Sequence, residues 1–462
     1  MHAGQYQTFD NLHTINIFAY NLLEFENMKI ELPYGTDKIE FTIDDRHLLQ
    51  IVEPNEVICK DTYLTIERAV EAPSNYPSLA DFVKDSKNLL IIVNDATRPT
   101  PTAKILEVIY EIINKVPHKF IVATGMHRPP TKEEYYQIFG NLYDEIKDKV
   151  FAHDSKDHSQ LAYLGKTKFG TDIYINKMAL EADKIVVIGS VEPHYFAGYT
   201  GGRKGFLPGI SGFTTIEQNH KYALDIHAQP LALQANPVHE DMEDTVRIIS
   251  DFSNSNSTFD IKKKTISKTD SKPIFSIMTV LDKNHNIYAV TAGDIFSSFY
   301  DAVKYANEVF SVKIKEKADI VISVAPYPMD IDLYQSQKAL DNGKLALKEN
   351  GILILVSKCR MGIGEEGFVK LLSQSKNPKE VFEKIKCEYR LGHHKAAKIA
   401  EIALWAKIFA VTDLKDEVLK SVFMIPYKSI QQAVDNAIKD KGNDAKLLIL
   451  LNGSITVPRI EK

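Results

Sequence analysis

The sequence has few cysteines and no long apolar segment, and both absences narrow the class of protein. Only three of its 462 residues are cysteine, Cys59, Cys359 and Cys387. They lie too far apart for a disulfide framework or a metal-binding Cys-x-x-Cys pair, so we expect a protein of the reducing cytoplasm. No stretch approaches the roughly 18 consecutive apolar residues that a membrane-spanning helix needs, and no membrane partner is expected.

An excess of positive charge is also absent. With 56 Lys and Arg against 61 Asp and Glu, the formal net charge is -5. This balance gives no electrostatic footprint for nucleic acid or for an anionic membrane surface. Residues 1–27 lack the basic and apolar regions of a secretory signal. Because a strand-like segment begins at Met28, we interpret residues 1–27 as a loosely ordered N-terminal extension.

Buried strands are what the sequence has in abundance. Continuous runs of valine, isoleucine and leucine are typical of parallel strands that are covered on both faces. Segments of helical periodicity lie between the runs and supply the crossovers. The predicted fold is therefore α/β, with two domains built on mostly parallel sheets and the active site in the cleft between them. The strand runs cover 89–95, 120–125, 184–190, 319–326, 352–357 and 447–454, and helical segments include 103–116 and 374–386.

A domain boundary is predicted near residues 293–300. We assign residues 28–298 to an N-terminal domain and residues 299–417 to a C-terminal α/β domain. The last segment, 418–462, contains a strand that we expect to return to the N-terminal domain, because the two ends of a domain often lie close together. The polar stretch 252–272 is interpreted as a hairpin or solvated loop.

Chemically active side chains follow three consecutive strands of the N-terminal half. Ligands of open α/β sheets bind at the carboxyl ends of the strands, so these loops are expected to form one site. Each residue has an ordinary alternative, such as a turn aspartate, an arginine at a helix end or a structural histidine. Their adjacency favours a site. The loops are "NDATRPTP" with Asp95, Thr97 and Arg98, "GMHRPPT" with His127, and "VEPHYFAGYTGGRKG" with Glu192, His194 and Lys204.

The stretch "GGRKGFLPGISGFTTIEQNH", residues 201–220, fixes a lysine between glycines and ends on a histidine. Gly201 and Gly202 permit a backbone conformation and a close approach that other residues do not, although the Walker phosphate-binding pattern is absent. "TTIE" predicts a helix over about 215–225 with a capping box of Thr214 and Glu217. His220 shares a helix face with an apolar residue four positions earlier, so its side chain is expected to point inward.

A further group of polar residues lies in the second half, in "YQSQKAL" (334–340). Tyr334, Gln335 and Lys338 fall at the start of a helix that follows a predicted strand. The lysine is positioned to reach an anionic ligand across an interdomain cleft. The ordinary alternative is a solvated helix face.

Signatures of the common hydrolases and dehydrogenases are missing. The sequence contains no nucleophilic serine elbow, no His-Glu-x-x-His and no Gly-x-Gly-x-x-Gly fingerprint. What remains is His127 and His194 beside Arg98 and Lys338, which have the charge to bind a carboxylate. Two candidate bases beside an anion clamp suit a reaction that is run from both faces of one carbon, namely racemisation or epimerisation.

Four segments together resemble the nickel-pincer lactate racemase family: "DATRP", "GMHR", "EPHYFAGYTGGRKGFLPGISGFTTIEQNH" and "YQSQKAL". The resemblance runs from about Met28 to near the C-terminus and implies an isomerase that acts on 2-hydroxy acids. It implies a cofactor, the nickel-pincer nucleotide (pyridinium-3-thioamide-5-thiocarboxylic acid mononucleotide nickel), attached to Lys204 through a thioamide. His220 would be the protein's ligand to nickel, and the N-terminal domain would bind the cofactor.

The resemblance also implies roles for the remaining site residues. The reaction would be reversible hydride transfer to the cofactor, with His127 and His194 as acid and base on opposite faces of the substrate. Separate proteins would make the cofactor and insert nickel, and these would be transient partners. The substrate carboxylate would be held by Arg98, Gln335 and Lys338, and the cofactor would be contacted by Asp95, Thr97, Tyr334, Gly201 and Gly202.

Two departures from the family pattern concern the substrate. Ala96 stands where the lactate enzymes carry a histidine, and residues 391–402 lack a tryptophan of the second domain, with His393 or His394 nearest. Smaller side chains would admit a substrate longer or more polar than lactate, so the expected substrates are lactate, a larger 2-hydroxy acid or a sugar acid. The only tryptophan, Trp405, is interpreted as a core residue.

Two other functions remain open on the sequence alone. The chain could be a cofactor-free binding or scaffold protein on the same fold, although a degenerate member would be expected to lose one of His127, His194, Lys204 or His220. Alternatively, Lys204 could form a Schiff base with a carbonyl substrate.

Overall fold

The computed structural model describes residues 27–252 and 272–460. Two interpretations lie outside these ranges, except at residues 27, 252 and 272: the loosely ordered extension at 1–27 and the hairpin or loop at 252–272. The strands are β1 (Asn27–Tyr34), β2 (Asp37–Asp44), β3 (Leu48–Val52), β4 (Leu89–Asn94), β5 (His118–Ala123), β6 (Val150–Ala152), β7 (Leu161–Lys166), β8 (Asp172–Asn176), β9 (Lys184–Ser190), β10 (Pro193–His194), β11 (Gly198–Tyr199), β12 (Ile274–Leu281), β13 (Ile287–Asp294), β14 (Ser311–Ile314), β15 (Ala318–Val324), β16 (Leu347–Val356), β17 (Lys407–Val411), β18 (Met424–Pro426), β19 (Leu447–Leu450) and β20 (Val457–Ile460).

The α-helices of the described ranges alternate with these strands, as the sequence predicts for an α/β fold. No helix in this part of the chain is long and apolar enough to cross a membrane. The helices are α1 (Thr62–Glu71), α2 (Leu79–Val83), α3 (Thr102–Ile113), α4 (Lys132–Phe139), α5 (Tyr143–Ile146), α6 (Lys177–Glu181), α7 (Phe213–Lys221), α8 (Pro237–Asp251), α9 (Ile295–Phe310), α10 (Leu333–Gly343), α11 (Glu366–Ser373), α12 (Pro378–Cys387), α13 (His393–Ala403), α14 (Asp416–Ser421) and α15 (Ile430–Lys441).

The first of the two large sheets has the strand order β13-β12-β9-β4-β5-β6. Its strands are parallel except for β13, which runs antiparallel to β12 at the edge. Alternate residues of β4 point to opposite faces, so that Leu90 and Ile92 belong to one core and Ile91 and Val93 to the other. Burial on both faces explains why this strand is apolar throughout.

The second large sheet has the order β18-β17-β16-β15-β19-β3, and all its strands are parallel. The antiparallel hairpin of β1 and β2 contributes Ile30, Leu32, Phe41 and Ile43 to the core on one face of this sheet. Residues 27–52 therefore pack on or pair with the second sheet, although its next strand in the chain, β15, begins only at Ala318.

Strand pairing corrects the predicted domain limits. The expectation that residues 418–462 complete the N-terminal domain is wrong, because β19 pairs with β15 and β3 of the second sheet. Residues 48–52 form β3, which pairs with β19 of the second sheet, while the assignment of residues 28–52 to the N-terminal domain stays a prediction. Helix α9 (Ile295–Phe310) packs on β12 and β13, so the break between the two sheets follows this helix, whereas the predicted limit at residue 298 falls within it. A buried apolar run shows that a strand is covered, but not which strand it pairs with.

Helix α7 begins one to two residues earlier than predicted and has no capping box. Its N-cap is Gly212, without a side-chain cap hydrogen bond. Glu217 is engaged elsewhere, since its Oε1 accepts a hydrogen bond of 3.0 Å from the backbone N–H of Leu391 in the second half of the chain. The predicted cap is therefore wrong because one of its members bridges the two halves of the protein.

Candidate active site

The carboxyl ends of β4, β5 and β9 carry the three loops that the sequence predicts to form one site. Arg98 connects two of these loops, because its Nη1 lies 3.8 Å from Oε1 of Glu192, and its charge acts on both Asp95 and His194. From the second half of the chain, α10 adds Lys338, whose ammonium group is within the electrostatic reach of Arg98 and Glu192. The site thus lies between the two sheets.

Asp95 holds His127 through a short hydrogen bond. The distance from Nδ1 of His127 to Oδ2 of Asp95 is 2.6 Å, and the other carboxylate oxygen accepts from Oγ1 of Thr97 at 2.7 Å. Asp95 is buried, with 8% exposure. Burial by itself raises the pKa of Asp95, but the hydrogen bond and charge of His127 outweigh this effect and lower it. The carboxylate therefore fixes Nδ1 of His127 and leaves Nε2 for a ligand.

His194 is held in the complementary way. The backbone N–H of Ala197 donates to its Nδ1 at 3.2 Å, which places the proton of the neutral ring on Nε2. The ring packs against Tyr195 and Phe196, with centroid distances of 4.9 and 4.5 Å. Burial, followed by the positive charge of Lys204, lowers the pKa of His194 well below its usual value. His194 is therefore a neutral imidazole at neutral pH.

Lys204 lies on a 3₁₀ turn, Gly202–Gly205, and its amine is buried. In the described part of the chain its Nζ has no hydrogen-bond or ion-pair partner, and it faces the ring of Phe196 at 5.7 Å from the centroid. Burial and the nearby cations Arg98, Arg203 and Lys338 lower the pKa of Lys204 far below its usual value. A lowered pKa increases the share of the uncharged, nucleophilic form of the amine, which suits covalent attachment.

The two glycines that precede this lysine pack closely against side chains of the protein interior. Both have a positive φ, +82° at Gly201 and +53° at Gly202. A Cβ on Gly201 would lie 2.6 Å from Cγ2 of Val191, and one on Gly202 would lie 3.2 Å from Phe299. The N–H of Gly202 donates to the sulfur of Met278. The close approach that these glycines permit is to packed side chains, and their role as cofactor contacts stays a prediction.

His220 points inward from α7, as the helix periodicity predicts. Ile216, one turn earlier, is buried in the small core around Phe196. The ring of His220 contacts Phe196 at 5.1 Å, and its Nδ1 is buried without a hydrogen-bond partner. Burial and then the charge of Lys204 lower the pKa of His220 to about 3. A neutral, buried imidazole nitrogen without a partner has the properties of a metal ligand.

Helix α10 presents the polar residues of the second half. Asp332 caps it, since its Oδ1 accepts from the backbone N–H of Gln335 at 2.7 Å. Burial, and then the charge of Arg98, lower the pKa of Lys338 to about 8. One face of the Tyr334 ring is covered by the ammonium group of Lys395, 3.9 Å from the centroid. That face is therefore closed to a cofactor.

Sequence analysis gave no role to three residues that the structure places at the site. Glu192 pairs with Arg98, and Lys395 lies over Tyr334 and over Tyr195. His394 accepts or donates hydrogen bonds at both ring nitrogens, to Tyr195 at 3.2 Å and to Tyr389 at 3.1 Å. His394 also lies 5.7 Å from His220, measured between ring centroids. In the sequence, His394 is notable only because it lies in "GHHK", in the region where the lactate enzymes carry a tryptophan.

The described residues contain no group of three or more His, Cys, Asp or Glu side chains that could hold a metal ion. A metal at this site would therefore need most of its ligands from another molecule. From the protein, His220 offers a buried ring nitrogen without a hydrogen-bond partner. Its ring contacts Phe196, and the amine of Lys204 faces the same phenylalanine.

Comparison with known proteins identifies relatives over nearly the whole chain. The models described as lactate racemase N-terminal domain and lactate racemase C-terminal domain match residues 34–230 and 313–457. A lactate racemase from Thermoanaerobacterium thermosaccharolyticum is 31% identical over 445 residues, which are 93% of this chain and 99% of that protein. A lactate racemase from Lactiplantibacillus plantarum is 29% identical over 442 residues, 92% of this chain and 98% of that protein.

Solved structures give the same result. The lactate racemase apoprotein from T. thermosaccharolyticum superposes with a TM-score of 0.84 at 30% identity, covering 94% of this chain and 100% of that chain. A protein from Thermotoga maritima superposes with a TM-score of 0.65 at 15% identity, covering 88% of this chain and 100% of that chain. The second likeness is one of fold alone.

Proposed function

The chain belongs to the lactate racemase family and is an isomerase of the racemase type, and on that premise we propose that it inverts the hydroxyl-bearing carbon of a 2-hydroxy acid. The proposed reaction is reversible hydride transfer to a nickel-pincer nucleotide attached to Lys204, with His127 and His194 as acid and base. The proposed substrate is lactate, which the names of the two relatives give for those proteins, or a larger 2-hydroxy acid or sugar acid.

One observation carries the proposal. Nδ1 of His220 is buried without a partner among the described residues, Lys204 is only 9% exposed and its amine has no hydrogen-bond or ion-pair partner there, and both side chains face Phe196. Buried polar groups without partners are rare and costly. A group that takes a covalent bond from the lysine and a coordination bond from the histidine would satisfy both at once, so the residues present fit the cofactor.

Lys204 would hold the cofactor covalently and His220 would bind its nickel ion. When bound, this group would supply an acceptor and donor of hydride. The chain itself supplies binding, orientation and proton transfer. Asp95 and Thr97 are better explained as the residues that orient His127 than as cofactor contacts, because their side chains bond to each other and to that ring.

The substrate carboxylate would be bound by Arg98 and Lys338, with Gln335 on the same helix start. Nη1 of Arg98 lies 3.8 Å from the carboxylate of Glu192. A substrate carboxylate would therefore compete with Glu192 for the guanidinium group. Beside Arg98 and Ala96, a cavity of about 230 Å³ is lined mainly by polar side chains, including Gln137 and His285. Its lining does not include His127, His194, Lys204 or Lys338, so the proposal of a substrate larger or more polar than lactate rests on Ala96 and not on this cavity.

The two histidines would move the hydroxyl proton. Nε2 of His127 is free to take the proton, and Asp95 stabilises the imidazolium that forms. His194 presents Nε2–H and can donate a hydrogen bond to the substrate oxygen. To accept a proton at Nε2, His194 must change tautomer and release the N–H of Ala197. The length of that bond, 3.2 Å, makes this release inexpensive.

A second candidate function is favoured by the lowered pKa of Lys204. An amine with a lowered pKa can also form a Schiff base with a carbonyl substrate. The two functions differ in what is found on the lysine. Reduction with borohydride would trap a Schiff base without nickel, whereas the pincer nucleotide is attached before any substrate is added.

The test is to co-express the chain with cofactor-making and nickel-inserting enzymes and to measure the mass of the Lys204 peptide and the nickel content. We expect a nucleotide-sized adduct on Lys204 and near-stoichiometric nickel. Lys204→Arg should carry neither, while His220→Asn should keep the adduct and lose nickel. An unmodified wild-type peptide, beside a known racemase that is modified in the same cells, would refute the cofactor.

A further inference from the structure

Arg203 is a buried arginine that neither the sequence motifs nor the proposed chemistry uses. Its side chain is 2% exposed, and no carboxylate of the described residues lies within ion-pair distance. The guanidinium carbon stacks over the ring of Phe299, 4.2 Å from the centroid. Burial lowers the pKa of Arg203 to about 9, which is still well above neutral, so the group remains charged. An unpaired buried charge of this kind is costly and therefore calls for an explanation.

Both Nη atoms of the guanidinium group donate to backbone carbonyls of one short loop, whereas Nε is buried without a hydrogen-bond partner among the described residues. Nη2 donates to the carbonyl oxygens of Ala197 at 2.8 Å and Tyr199 at 3.0 Å. Nη1 donates to those of Gly201 at 3.2 Å and Thr200 at 3.4 Å. A planar fork with several fixed N–H directions can hold several carbonyls at once, and a lysine cannot.

This loop connects the two functional residues of the site. Ala197 accepts a hydrogen bond from Arg203 at its carbonyl oxygen and donates its N–H to Nδ1 of His194. This single residue therefore connects the guanidinium group to the imidazole. His194 and Ala197 belong to the hairpin of β10 and β11. At the other end of the loop, Lys204 directly follows Arg203 on the 3₁₀ turn.

We propose that Arg203 is a positioning residue. Its hydrogen bonds to backbone carbonyls of residues 197–201 hold this loop in one conformation, and the loop in turn fixes the position of the His194 ring relative to the Lys204 amine. This role rests on the proposed function, because it matters only if His194 moves a proton beside a group on Lys204. The charge of Arg203, on which Glu243 acts only from beyond ion-pair distance, fits the same role, since hydrogen bonds from a charged donor are stronger than neutral ones.

The test compares Arg203→Met and Arg203→Lys with the matched control Arg247→Met. Arg247 also stacks on a phenylalanine, Phe296 at 4.7 Å, but it pairs with Glu243 and bonds no loop carbonyl. Two measurements are made on the full chain: amide hydrogen exchange by peptide mass spectrometry, and kcat and KM of the cofactor-loaded enzyme for the 2-hydroxy acid that the wild type racemises.

For Arg203→Met we expect faster exchange in peptides covering 197–205 and unchanged exchange in β4 and β9. We expect kcat to fall about 100-fold, as for a misplaced catalytic group, with KM nearly unchanged because Arg98 and Lys338 bind the carboxylate. Arg203→Lys should recover part of kcat, and Arg247→Met should match the wild type. If Arg203→Met does not fold, Arg203→Lys carries the test, with an intermediate loss expected.

Unchanged exchange at 197–205 would overturn the proposal, and so would an unchanged kcat despite faster exchange. Faster exchange throughout the chain would show a general structural role and would also overturn it. A loaded wild type that racemises no 2-hydroxy acid would refute the proposed function instead, and the exchange result would still decide whether Arg203 holds the loop.

Discussion

At the scale of single residues, Lys338 connects the activity to pH. Burial and the charge of Arg98 lower its pKa to about 8. Below that pH the ammonium group is present and can bind a carboxylate, and above it the charge is lost. We predict that kcat/KM, which reports on the free enzyme, falls as the pH rises through about 8. The measurement is a pH profile of kcat/KM from the acid side of neutrality to well above this pKa.

The control for this profile is an arginine at the same position. Lys338→Arg keeps its charge throughout the range, so the fall near pH 8 should move out of the measured window. Lys348→Arg, an exposed lysine paired with Asp319, should reproduce the wild-type profile. A fall at the same pH in Lys338→Arg would assign the titration to another group.

Asp95 is expected to contribute to catalysis through His127 alone. In Asp95→Asn the shape of the side chain is kept but the charge that stabilises the imidazolium is lost. We predict a fall in kcat on the order of 100-fold to 10⁴-fold with little change in KM, measured by steady-state kinetics of the loaded enzyme. Asp157→Asn, in an exposed turn that bonds Ser159 and Gln160, is the control. An equal loss in that variant would point to a general defect.

Much of the site could be predicted from the sequence, because its residues follow strands or begin helices. The turn from β9 to α7 is a single long motif, and the inward direction of His220 follows from Ile216 four residues earlier. The partners could not be predicted. Nothing in "NDATRP" shows that Asp95 bonds a histidine 32 positions later, since contacts between loops depend on strand order. The burial of Arg203 is likewise hidden, as arginine beside lysine suggests an exposed turn.

At the scale of secondary-structure elements, α13 is the part of the second half that reaches the core of the site. His394 bridges Tyr195 and Tyr389, and Lys398 bonds the carbonyl of Ala228 at 3.3 Å. These contacts, together with that of Glu217 and Leu391, hold the loop after β9 and helix α7 against the second half. The helix therefore determines how the two halves meet around His194 and His220.

The bridge makes a measurable contribution to stability. His394→Phe keeps an aromatic ring but leaves two buried hydroxyl groups without a partner, so we predict a loss of about 1–3 kcal/mol in the free energy of unfolding. Tyr195→Phe removes one of the two bonds, and in the double variant the losses should be less than additive by about 0.5 kcal/mol or more. Urea unfolding followed by fluorescence of Trp405, the only tryptophan, gives both values.

His227→Phe is the control, because His227 is exposed and bonds only Asp225 within its own turn. Strict additivity of the two substitutions at the bridge would mean that Tyr195 and His394 do not interact in solution.

Elements were predicted better than their pairing. The run 184–190 has the bounds of β9, and the run 89–95 matches β4 within one residue, because a strand covered on both faces is apolar throughout. The edge strand β3 was not predicted, because "LLQIV" is short and partly exposed. The failed capping box has a similar cause, since local sequence does not show that Glu217 bonds a residue of the other half.

At the scale of the whole molecule, the chain crosses between the two sheets twice. It starts with β1–β3 on the second sheet, builds the first sheet from β4 to α9, and then returns. The first sheet is therefore inserted within the sequence of the second, and both ends of the described chain lie with the second sheet. The proposed catalytic residues come from the inserted part, and the lysine proposed to bind the carboxylate comes from the surrounding part.

This arrangement predicts the effect of removing the first strands. A chain that begins at Glu53 lacks the partner of β19 and the hairpin that covers one face of the second sheet. We expect faster amide exchange in β15 and β19, where pairing or cover is lost, with unchanged exchange in β4 and β9. Peptide mass spectrometry measures both in one experiment. Equal destabilisation of the two sheets would contradict the assignment of β1–β3 to the second sheet alone.

The central claim is that this racemase inverts a 2-hydroxy acid by moving the hydrogen on carbon 2 as a hydride. The most direct measurement incubates the cofactor-loaded enzyme in D₂O with one enantiomer of lactate, and in parallel with a larger 2-hydroxy acid and a sugar acid, and follows the inverted product by NMR. Hydride transfer keeps the original hydrogen on carbon 2, so the account predicts an inverted product without deuterium there. Deuterium at carbon 2, or no inversion of any of the three acids by an enzyme that carries the Lys204 adduct and nickel, would contradict it.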